Sequence, residues 1–162
     1  MQLAQLNIAD ALYETDKPEM AGFTDRVDAI NALADRAEGF VWRLVDDGPE
    51  DGALSLRMEG HGPMTLVNMS VWESVEALYA FVYQTAHAKV MRGKADWFTP
   101  MSQSHMVLWW VEDGHIPNLD EAREKLDLLR ANGPTPEAFS FTVPFDEHGR
   151  PMTPPMGRKE CA

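Results

Sequence analysis

Asn7, Trp72 and His87 are the side chains of this sequence whose types could do chemistry together: an amide, an indole and an imidazole. The amide donates and accepts hydrogen bonds, the indole offers a broad apolar face, and the imidazole exchanges a proton near neutral pH. Gathered in one apolar cavity, they would hold a planar ligand or steer oxygen chemistry. Asn68, Phe81 and Trp97 are further candidates for lining such a site as substrate-binding residues. Each also has an ordinary structural role open to it. Buried amides usually pair internally, so Asn7 and Asn68 can bond each other or a water across neighbouring strands. His87 can close onto a backbone carbonyl at the cavity rim, and tryptophan is more often core or interface than reactant.

Few other residues compete. No two histidines have the His-x-x-x-His spacing that sets two ligands on one helical face, and no carboxylates near them complete a metal signature. His105 starts a strand and reads as edge-exposed, while His61, His115 and His148 fall in loops or the tail. Arg43 and Arg57 are strand residues that could anchor a ligand carboxylate, though a solvent-facing role suits them better. The glycines around positions 48, 52, 60 and 62 form no phosphate-binding loop, and no Gly-x-Ser-x-Gly elbow occurs. A single cysteine, Cys161, permits neither an intrachain disulfide nor a thiolate cluster.

The elements that must position these groups follow from periodicity. Residues 2–9 alternate as a strand, with Leu3, Gln5 and Asn7 on one face and Ala4, Leu6 and Ile8 on the other. A helix is expected from Pro18 over Phe23, Val27, Ile30 and Ala34, closing before Gly39. Strands are expected at Phe40–Val45, more weakly at Ala53–Met58, then strongly at Thr65–Trp72. Ser74 caps a helix with Val75, Leu78, Phe81 and Val82 inward, and its pattern runs, with room for a break, through His87 to Trp97 and Phe98 before Pro100. His105–Glu112 reads as a strand. Asn118 and Glu121 have capping-box spacing at the head of a C-terminal helix over 118–132, stopped by Asn132-Gly133-Pro134. A short strand at Phe139–Val143 closes the list of elements.

This order implies an α+β fold, a ferredoxin-like antiparallel sheet with two helices on one face and an extra C-terminal helix. One domain is expected over residues 1–145, with 146–162 a poorly ordered Pro-rich tail. Val67, Met69 and Val71 make a uniform apolar face suited to lie under the helices. Leu66, Asn68, Ser70 and Trp72 make a mixed face suited to a cavity wall, over which a second copy of the chain could close. With 162 residues, of which 44% are hydrophobic and 25% charged, the chain can bury a sizeable core. The net charge of −12 repels phosphate backbones and anionic lipid, so nucleic acid and membranes are not expected partners. No apolar run approaches the roughly 20 residues of a membrane span. With its lone cysteine and no basic leader, the sequence fits a cytoplasmic protein.

The strand ending Val71-Trp-Glu-Ser74, the helix Val75-Glu-Ala-Leu-Tyr-Ala-Phe81 and the pair Ala86-His87 resemble the dimeric α+β barrel proteins, which include antibiotic-biosynthesis and haem-degrading monooxygenases. Leu66-Val-Asn-Met-Ser-Val-Trp-Glu-Ser74, Val107-Leu-Trp-Trp-Val111 and Gly133-Pro-Thr-Pro-Glu-Ala-Phe139 resemble, more closely, a bacterial domain-of-unknown-function family of that superfamily. The resemblance implies a homodimer and a monooxygenase-like enzyme acting on a hydrophobic planar molecule, either without cofactor or with haem. It also admits a non-catalytic protein that binds haem or a hydrophobic ligand. Asn7 and His87 match the Asn and His of the haem-degrading site and would be its catalytic residues, His87 also holding iron if haem is used. The helix Trp of that site falls at or near Phe81, and the segment before His87 is shorter; both depart from the haem-degrading pattern.

Overall fold

Ten residues of alternating character form β1 (Gln2–Ala11), which lies at the centre of the sheet. β3 (Thr65–Trp72) flanks it antiparallel, setting Leu3 against Trp72 and Asn7 against Asn68. On its other side β5 (Met106–Val111) sets Ala4 against Trp109 and Asn7 against Met106. β2 (Phe40–Arg43) pairs with β3, and the two-residue β4 (Phe98–Thr99) pairs with the far end of β1. The structure, a computed structural model, describes residues 1–46 and 54–155. The antiparallel order β2-β3-β1-β5 with its crossover helices is the ferredoxin-like plan.

Three of the four α-helices among the described residues begin at a side chain that caps them. α1 (Ala21–Ala34) follows a 3-10 turn at Pro18–Met20, and α2 (Val75–Gln84) starts at Ser74, whose hydroxyl accepts the Ala77 N–H at 3.1 Å. The helix expected to run on past Gln84 breaks at Thr85. That hydroxyl donates to the Phe81 carbonyl at 2.6 Å and accepts the His87 N–H at 3.2 Å, ending one helix and capping α3 (Ala86–Arg92). A 3-10 turn at Lys94–Asp96 then leads to β4, where the sequence had suggested continuing helix. α4 (Leu119–Asn132) is capped by Asn118, whose side chain accepts the Glu121 N–H at 2.9 Å, and it stops at Gly133, whose φ of +70° suits glycine.

The two sheet faces are covered in the opposite sense to that expected. Leu3 and Trp72, from the mixed face, pack beneath α1 and α2 with Ala34, Val75, Leu78 and Phe81. The uniform face of Ala4, Leu6, Ile8, Val67, Met69, Val71 and Val107 lies against Ala122, Leu126 and Leu129 of α4 and against Met58. Each buried leucine of that stripe stabilises by about 1.5–3 kcal/mol, more than a single cap contributes. Packing therefore holds α4 on the sheet. The face left open by α1 and α2, which a second copy of the chain could have closed, carries α4 instead.

Other differences are local. Residues 54–58 form no strand; Leu56 and Met58 instead pack under the uniform face, and Ala53 lies outside the described residues. β2 stops at Arg43, although the Leu44 N–H still reaches the Met69 carbonyl at 2.8 Å. Phe139–Val143 is a run of isolated bridges rather than a strand. The two backbone bonds between Leu108 and Phe139 nonetheless cover the outer edge of β5. Within the tail expected to be poorly ordered, hydrogen bonds join residues 146–152. Asp146 accepts the N–H groups of His148 and Arg150, Met152 bonds back to Pro144, and Met152 packs on the core beneath α1 and α2. Beyond residue 155 the expected tail lies outside the described residues. No helix among the described residues is long and apolar enough to cross a membrane.

Candidate functional site

Strand alternation puts Leu3, Gln5 and Asn7 on the sheet face beneath α1 and α2, opposite Trp72, Ser70 and Asn68. A hydrogen-bonded line crosses it. Gln5 Nε2 donates to Asn68 Oδ1 at 2.7 Å and to Ser70 Oγ at 2.9 Å, and Trp72 Nε1 donates to the same Ser70 hydroxyl at 2.8 Å. Gln5 and Ser70 are buried whereas Asn68 is exposed, so the line runs from the core to solvent. Asn7, beside Asn68 in the register, is half-buried, and its amide has no partner among the described residues. The expected pairing of Asn7 with Asn68 does not form; Gln5 takes Asn68 instead.

Trp72 is not a free stacking platform. It is 1% exposed, with Phe81 stacked on it at 5.1 Å between ring centroids and Phe40 edge-on at 5.4 Å. With its N–H on Ser70, every part of the indole is occupied. Phe81, which sequence placed as a substrate contact, fills the space between Trp72 and His87, its ring 5.3 Å from the imidazole. The cavity expected to unite Asn7, Trp72 and His87 is therefore closed at its Trp72 end by the aromatic core.

His87 sits in the first turn of α3, half-buried, its Nδ1 3.1 Å from the Val82 carbonyl. A carbonyl only accepts, so Nδ1 carries the hydrogen, and in the neutral ring Nε2 keeps the lone pair. Burial lowers the His87 pKa below the usual histidine value, opposed by the Val82 bond. The native ring is thus neutral at neutral pH. Nε2 has no partner among the described residues and is not sealed from solvent. The ordinary reading of a histidine tied to a carbonyl and the functional one coexist here, since the tie directs the other nitrogen outward.

Trp97 belongs elsewhere. It packs with Phe23 and Phe98 in a separate apolar cluster around Met20 and Leu66, at the far end of β1. Gly22 of α1 and Gly93 after α3 both abut its ring; a Cβ at either position would lie 2.9 or 3.1 Å from it. The polar pair Asn7 and Asn68 lies along the strands between this cluster and the Trp72 core. Sequence reasoning missed Ser70 as the hub and Thr85 as the cap of α3. Both were findable: Ser70 is two residues from Trp72 on the same strand face, and a Thr before Ala-His is an N-cap type. No group of three or more His, Cys, Asp or Glu that could hold a metal occurs among the described residues.

Residues 2–154 match the family described as Domain of unknown function (DUF3291). The chain belongs to that family. No curated protein matches it. Among solved structures it is similar to the NE2512 protein of unknown function from Nitrosomonas europaea, at 16% identity over 72% of this chain and 95% of that one, with a TM-score of 0.48. SnoaB, a cofactor-independent oxygenase from Streptomyces nogalater, gives 17% identity over 72% of this chain and 98% of its own, with a TM-score of 0.48. A conserved protein from Methanosarcina mazei Go1 gives 10% identity over 67% and 91%, with a TM-score of 0.48. These similarities concern the path of the chain, not its chemistry.

Proposed function

We propose that this protein binds a small hydrophobic molecule on the helix-facing side of the sheet and that His87 serves as its proton acceptor, in a cofactor-independent, oxygenase-like reaction. The observation that carries this reading is the state of His87: neutral, its Nδ1 tied to Val82, its Nε2 lone pair without a partner. A base of this kind contributes about 10²–10⁴-fold in rate when a proton leaves in the transition state. The unpartnered amide of Asn7 and the exposed Asn68 would orient the ligand. Haem fits less well. The imidazole is a suitable donor, but Trp72, Leu78, Phe81, Leu108 and Phe139 are each no more than 8% exposed and fill the space between α2 and the sheet. A porphyrin slot would require displacing that core.

The test is oxygen consumption by the purified protein with a panel of hydroxylated aromatic compounds, beside His87→Gln and Asn7→Ala. We expect turnover to fall at least about 100-fold in His87→Gln with binding retained. Unchanged turnover in that variant removes the assigned role. Saturable binding without turnover in the unaltered protein would instead make it a carrier. Titration with haem is expected to produce no His87-dependent absorption band.

A further inference from the structure

On the α4 side of the sheet, a groove of about 290 Å³ opens between the end of β5 and the first turns of α4, with Trp109, Glu112, His115, Glu121 and Lys125 in its wall. Its polar groups are joined in series. The indole N–H of Trp109, which is 1% exposed, donates to Glu121 Oε1 at 2.9 Å, and Glu121 Oε2 lies 2.7 Å from His115 Nε2. The capping-box spacing of Asn118 and Glu121 would have this carboxylate return to the N–H of Asn118. It turns instead to the indole and the imidazole. The turn before α4 brings His115 into reach: Gly114 has a φ of +83°, and the His115 N–H bonds the Glu112 carbonyl at 3.0 Å.

A carboxylate on Nε2 means that this nitrogen carries the hydrogen, so the neutral ring keeps its lone pair on Nδ1. Nδ1 has no partner among the described residues, and His115 is 48% exposed. A buried donor fixing a carboxylate that fixes an imidazole is how a ligand-facing histidine is held rigid. Lys125, one helical turn beyond Glu121, has neither ion pair nor hydrogen bond among the described residues. Its ammonium is therefore open to a ligand's negative charge. Glu112 and Glu121 on the same wall both disfavour a dianion.

We propose that this groove is a second ligand site that takes a small monoanionic hydroxy acid. The hydroxyl donates to His115 Nδ1, and the carboxylate lies against the Lys125 ammonium. The volume suits a molecule of a few carbons or a single ring, at the lower end of small-molecule sites. The site shares no residue with the His87 side, so either reading can fail without the other.

The test follows the Trp109 indole N–H and the His115 ring signals by NMR during titration with lactate. Propionate, which lacks the hydroxyl, and isopropanol, which lacks the carboxylate, are titrated alongside. We expect saturable shifts with lactate, binding about tenfold weaker for propionate and for lactate on Lys125→Met, and no saturation with isopropanol. Lactate shifts that do not saturate would overturn the proposal. So would equal binding of lactate and propionate, or unchanged lactate binding by Lys125→Met.

Discussion

At Ser70 one hydroxyl serves two buried donors, the indole of Trp72 and the amide of Gln5. Ser70→Ala leaves both without that acceptor, at about 1–3 kcal/mol for a stranded buried group. Asn68→Ala removes a solvent-exposed acceptor while Gln5 keeps Ser70, and should cost under about 0.5 kcal/mol. Urea midpoints of the two variants test the ranking; equal losses would mean that the line from core to solvent is not anchored at Ser70. His87 gives the molecule an acid limb. Burial lowers its native pKa, whereas the unfolded chain takes up a proton near 6.5. The unfolded state therefore binds more protons below that pH. Stability from this group is complete above about pH 6.5 and is lost as pH falls toward the lowered native value. Comparing His87→Gln with the unaltered protein at roughly pH 7.5 and 5.5 should show a shallower loss in the variant. Parallel losses would show that His87 protonates freely in the native state.

Elements place these residues by two kinds of rule, one local and one not. α1 shows the non-local kind at Gly22, where an added Cβ would stand 2.9 Å from Cζ2 of Trp97. Alanine in place of glycine gains about 1 kcal/mol in a helix interior, and less in a first turn such as this. Overpacking costs about 1–3 kcal/mol, so the clash should win. Gly22→Ala is expected to lower stability and shift the Trp97 indole resonance, and a gain in stability would show that Trp97 yields easily. Nothing in the sequence announces that contact, because Gly22 and Trp97 are 75 positions apart and meet only once α1 crosses the sheet. The bounds of β3 and the caps at Ser74 and Asn118 were legible because they depend on neighbours within four residues. Which sheet face lay under which helix was not legible. Both faces of β3 are apolar enough to be buried, and only the docking of α4 decides between them. The site divides in the same way. Alternation put Gln5, Asn7, Asn68 and Trp72 on one face, but it could not show that Phe81 would take the place expected for a ligand.

For the molecule as a whole, the decisive surface is the apolar face of Ala4, Leu6, Ile8, Val67, Met69 and Val71, every one of them 6% exposed or less. α4 lies on that face as part of the same chain, so the contact forms at an effective concentration set by a short connection rather than by the amount of protein present. Mass action then has no hold on it. Proteins whose sheet is covered by a neighbouring copy lose stability on dilution, because separation is part of unfolding. This chain should unfold at the same temperature when diluted a thousandfold, and a melting point that falls with dilution would show that a second copy contributes to the cover. A face hidden in this way would make tolerance of scarcity a property of the fold, whether the cell makes few copies of this protein or many.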